Sequence, residues 1–154
     1  MKTITATPRA SWLLRTSAVL WVIWGLVHML AGVLTMSRDT SDAVAGIADD
    51  VEAASLEMDY PDAVGAVINQ HGFNLAWIGL VTLICAAFIW RRAVAAVFVA
   101  ALVGGLADVG YFLFLDLGGH VKFVPGTLMT IFSATAIITS FVAYFTDTNR
   151  PAST

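Results

Sequence analysis

An aspartate, Asp108, stands within GGLADVGYFLFLDLGGH (Gly104 to His120), a run that is otherwise apolar over most of its length. A carboxylate at the centre of a membrane helix costs roughly 2.5–3.5 kcal/mol on insertion scales, so an acid at that depth needs a partner or a purpose. Of the three histidines, His28 sits within a similarly apolar run, and His71 stands with Asn69, Gln70 and Asn74 where a second apolar run would enter the membrane. One carboxylate and two imidazoles support three kinds of chemistry. An Asp–His pair can hold or move a proton at the polar head of a bound lipophile, such as a quinone or an isoprenoid lipid, because histidine titrates near neutral pH. Two neutral imidazoles on different helices can be axial ligands of haem b. Two histidines and a carboxylate can hold zinc or non-haem iron with a position left open, which makes His28, His71 and Asp108 the candidate metal ligands.

The local patterns decide among these. No CxxCH occurs, which excludes covalently attached haem, and no HExxH supports the metal reading. The single cysteine, Cys85, excludes an intrachain disulfide and a CxxC redox pair. The lipophile reading asks for polar groups near one another without strict ligand geometry, and it ranks first. Its proton-handling pair is His28 and Asp108; His71, Asn74, Tyr111, Trp24 and Thr130 are the candidate ligand-binding residues.

The elements that position these groups are membrane helices. The 154 residues are 58% hydrophobic and 12% charged, with a mean hydropathy of +0.81, well outside the composition of a soluble domain. Apolar runs long enough to cross a bilayer, about 20 residues each, lie at 12–36, 61–90, 93–117 and 123–146. The fold class expected is an all-α integral membrane protein: one domain, a four-helix antiparallel bundle, with an outer amphipathic helix in the 37–60 loop. Residues 1–11 read as a polar, frayed start. The first run is too long for the apolar part of a signal peptide and no small-x-small site follows it, so it reads as a retained helix.

Face and depth bring the polar residues together. Trp21, Trp24, Gly25, His28 and Gly32 recur at helical spacing on one face, as do Gly104, Gly105, Asp108 and Tyr111. Counting from Arg15, Trp90 and Arg92 at 1.5 Å per residue places His28 about 20 Å up its helix, Asn74 and Asp108 about 24 Å, and His71 about 28 Å. Thr127 and Thr130 arrive at similar depth. The other half offers Leu13, Leu14, Val19, Val97, Phe98, Ile137 and Ile138, with no acid or histidine to continue a path. A one-sided pocket therefore fits better than a channel. Asp116 and His120 read as a solvated turn beyond it.

Charge placement gives the orientation. Lys2, Arg9, Arg15, Arg91, Arg92 and Arg150 flank one side, whereas the 37–60 loop and its borders carry eight acids from Asp39 to Asp62. The positive-inside rule puts both termini in the cytoplasm and the acidic loop outside, in what reads as a bacterial inner (plasma) membrane. Val44, Ile47, Val51 and Met58 lie near helical spacing in that loop and predict an amphipathic helix on the outer surface, a cap shielding the bundle ends or a lid that admits a ligand; its acidity argues against anionic headgroups as partners. The expected partners are the bilayer and a lipophilic small molecule. Glycine-rich faces also permit a homo-oligomer or a non-catalytic role as accessory subunit of a larger membrane complex. No basic stripe for nucleic acid exists outside the flanks.

Overall fold

The computed structural model describes residues 3, 4 and 8–148. Of the residues used for orientation, Lys2 and Arg150 lie outside that set. The regular structure of the described residues is all helical, without a strand; an isolated bridge pairs Thr3 with Ala93. Four long helices have the length and apolar composition to cross a membrane: α1 (Pro8–Ser37), α4 (Asp62–Trp90), α5 (Val94–Tyr111, prolonged by a wider π-helical turn, Phe112–Asp116) and α6 (Leu128–Thr148, entered through a kinked segment, Phe123–Thr127, in which Val124 has extended backbone angles). By length and composition they suit a membrane protein. Two short helices, α2 (Thr40–Ile47) and α3 (Ala53–Leu56), occupy the loop after α1.

Two boundaries differ from the sequence expectation for physical reasons. α1 begins at Pro8 rather than near residue 12, because proline's fixed φ and missing N–H suit a first helical turn. The loop helix stops at Ile47. Asp50 N–H donates to the His120 carbonyl (3.1 Å) and the Asp49 carboxylate accepts from Lys122 N–H (2.8 Å), so this stretch bonds to a distant turn instead of continuing the helical ladder. Val51 falls in the resulting bend and Met58 is exposed. The Asp39 side chain caps α2 through Asp42 N–H, and the Ser41 hydroxyl reaches the Leu56 carbonyl to tie α2 to α3.

α1 packs against α4 and α6, and α5 packs against α4 and α6. The α1–α4 seam is set by glycines facing one another, Gly25 with Gly79 and Gly32 with Gly72. A Cβ on Gly25 would stand 2.8 Å from the Gly79 carbonyl, and one on Gly79 would stand 2.6 Å from the Gly25 carbonyl, so backbones meet where side chains cannot. Around this seam Leu14, Trp21, Trp24, Ile89 and Val97 are buried, while leucines and phenylalanines of all four long helices remain on the outside. Such an outward apolar surface is what lipid tails solvate. At the end bearing Arg91 and Arg92, the Arg15 guanidinium lies 5.4 Å over the Trp90 ring, and Ile4 N–H donates to the Arg92 carbonyl.

Candidate functional site

Asp108 is buried where α5 faces α1, at 4% exposure. Its Oδ2 accepts a 2.8 Å hydrogen bond from the Trp24 indole N–H, and the Ser133 hydroxyl of α6 lies beside the carboxylate while donating to the Thr130 carbonyl. Trp24 is fully buried, braced edge-on by Trp21 (centroids 5.5 Å, planes at 82°). One helical turn on, the His28 ring stacks on Trp24 with centroids 3.6 Å apart and planes at 18°. His28 Nδ1 donates to the Trp24 carbonyl at 2.8 Å, since a carbonyl can only accept. The other nitrogen, Nε2, faces Asp108 Oδ1 at 4.0 Å. This is a buried acid–imidazole pair, an ion pair when the imidazole carries the proton. Its separation exceeds a hydrogen bond.

The pair forms one wall of a cavity of about 280 Å³. α1 contributes Val27, Leu30, Ala31, Leu34 and Thr35; α4 contributes His71 and Leu75; α5 and its π-helical turn contribute Tyr111 and Leu115; Pro125, Gly126 and Met129 close the far side. The outer rim is made by Arg38 and by Ala43, Gly46, Ile47 and Asp49 from α2 and the bend after it. The Tyr111 hydroxyl approaches Gly126 so closely that a Cβ there would collide with it, so the glycine leaves room for the phenol. Leu30 and Leu34 line the cavity and are also exposed on the flank of α1. The cavity is thus bordered by surface of the kind that faces hydrocarbon.

Of the residues singled out from sequence, His28, His71, Asp108 and Tyr111 line this cavity and Trp24 stands behind the pair. Asn74 does not: its Oδ1 accepts from the Trp77 indole on an outward part of α4. Thr130 does not line it either; its hydroxyl is buried without a partner, and its carbonyl serves Ser133. Among the described residues no three His, Cys, Asp or Glu side chains come together as a set able to hold a metal.

Asp116 is not simply solvated. It is half-buried, accepts 2.8 Å from the Thr127 hydroxyl, and its Oδ2 is enclosed without a partner. The π-helical turn is wider than an α-turn and brings this side chain onto the start of α6; His120 stays exposed. Arg38 and Asp49 were not sequence candidates. Arg38 had one visible signal, as a lone cation directly after a membrane run; Asp49 had none, because its place depends on where the loop folds back.

Comparison of the chain with protein-family models, with curated proteins and with solved structures finds no match. The chemistry of the site rests on its own geometry.

Proposed function

We propose that this chain is a membrane protein that binds a lipophilic small molecule, of quinone or isoprenoid type, in the cavity between α1, α4 and α5, with Asp108 and His28 anchoring the ligand's polar head and handling its proton. The observation that carries this reading is the cavity itself: largely apolar walls, an acid–imidazole pair at one wall, and exposed leucines at its border through which a ligand can arrive from lipid. Ligand sites have this makeup, apolar lining with a few convergent polar groups.

In the same reading the long helices form an antiparallel bundle. The reciprocal glycine register, Gly25 with Gly79 and Gly32 with Gly72, supports opposite directions for α1 and α4. Both termini lie in the cytoplasm, with α2 and α3 forming an outer lid. The lid is held to the Gly118–Lys122 turn by the two hydrogen bonds of Asp49 and Asp50.

The test is mass analysis of lipid extracted from the protein purified in native-lipid particles. The expected result is an enriched lipophile that is lost in Ala31→Phe, which fills the cavity from a half-buried position. An extract matching bulk membrane lipid for both proteins refutes the proposal.

A further inference from the structure

Two atoms in the site face one another without a mutual hydrogen bond. The Trp24 carbonyl takes the Nδ1 proton of His28, so in a neutral imidazole Nε2 is a bare acceptor. Asp108 Oδ2 is occupied by the Trp24 indole N–H, and Oδ1 is the oxygen turned to Nε2. At 4.0 Å the two are too far apart to bond directly. An oxygen set about 2.8 Å from each would subtend an angle of about 90°, an acceptable geometry for a hydroxyl that donates to one and accepts from the other.

Such a seat needs one proton shared by the pair, and burial supplies the reason for it. A carboxylate with a neutral histidine would leave a net charge among apolar walls, whereas one proton held by either partner makes the pair neutral overall. A neutral pair presents one donor and one acceptor. The rim adds no preference for an ion, because Arg38 and Asp49 contribute one charge of each sign.

We infer that the gap between His28 Nε2 and Asp108 Oδ1 is the seat of a hydroxyl group. The site takes an uncharged lipophile bearing a phenolic or alcoholic hydroxyl in preference to a methyl ether or an ammonium of the same size. This rests on the cavity being a ligand site and names the head group it selects. The volume of about 280 Å³ is at the small end of ligand sites and suits a single ring with a short tail.

The experiment uses the full chain in lipid nanodiscs with ¹⁵N-labelled histidine, the His28 signals being assigned by their loss in His28→Gln. Three probes are titrated: 4-butylphenol, its methyl ether 4-butylanisole, and 4-butylbenzylamine. The expected result is a shift of His28 Nε2 on adding the phenol, with affinity at least about tenfold above that for the ether or the amine, as for one hydrogen bond involving a charged group. Equal binding of ether and phenol overturns the hydroxyl assignment and leaves the ligand site standing, as does tighter binding of the amine. If none of the three disturbs His28, the ligand-site reading falls and the assignment falls with it.

Discussion

Replacing Trp24 by phenylalanine and Asp108 by leucine, singly and together, isolates the contact on which the site is built. Trp24→Phe removes the only indole donor reaching Oδ2, and Asp108→Leu removes the acceptor. Hydrogen bonds to charged groups contribute about 1.5–3 kcal/mol in soluble proteins. Double-mutant cycles between membrane helices average about 0.6 kcal/mol with a maximum near 1.7, because separated helices also find partners in the membrane. A 2.8 Å bond between buried groups belongs in the upper part of that range, so the expected coupling is about 1–1.7 kcal/mol. Leucine does not gain by removing the acid's burial cost, since the separated helix also holds residue 108 in hydrocarbon. Asp108→Leu also takes the carboxylate away from the Ser133 hydroxyl, whose other acceptor is the Thr130 carbonyl, and the cycle cancels that loss because it is common to both Asp108 variants. Asp108→Asn, which retains an oxygen for the indole, stays within about 1 kcal/mol of the parent. The assay is reversible unfolding in mixed micelles, titrated with a denaturing detergent and followed by helix content. Additive single mutants, or an asparagine variant as unstable as leucine, refute the reasoning.

The glycine seam predicts opposite signs at two positions in the same assay. Gly79→Ala brings a Cβ within 2.6 Å of the Gly25 carbonyl and should cost about 1–3 kcal/mol as overpacking, whereas Gly110→Ala meets nothing within 4 Å and should be neutral or stabilise by up to about 1 kcal/mol. A neutral Gly79→Ala removes the seam. At the lid, Asp49→Ala takes away the acceptor for Lys122 N–H, a bond between exposed groups. Hydrogen exchange at the Lys122 amide should accelerate roughly two- to tenfold, as expected for about 0.5–1.5 kcal/mol, with no change in the α1–α4 seam; unchanged exchange shows that this bond does not hold the lid.

The long helices were legible because their apolar runs are long and their polar interruptions few, and the inward face of α1 was legible because Trp21, Trp24, Gly25 and Gly32 repeat at helical spacing. Depth is equally readable, being a count of residues, and it brought His28, His71 and Asp108 to similar heights. Direction around a helix is harder to read. Asn74 has the right height, but on the side of α4 where Trp77 takes its oxygen. Local geometry escaped for a related reason: a regular 3.6-residue period cannot anticipate the π-helical turn that swings Asp116 against Thr127. The loop was least legible. Its spacing of apolar residues suited one amphipathic helix, and the hydrogen bonds that end α2 come from a turn some seventy residues away in sequence.

The glycine seam also bears on how the chain is made. Of the four long helices α1 leaves the ribosome before the others, and the next, α4, is the one whose glycines complement it. These two can associate in the membrane by close backbone packing before α5 has been synthesised. Trp24 is then already in place on the paired helices when α5 arrives with Asp108. The acid that is hardest to place in lipid comes late, to a donor that its predecessors have set out for it, and its time as an unpartnered group in hydrocarbon is shortened by the order of synthesis alone.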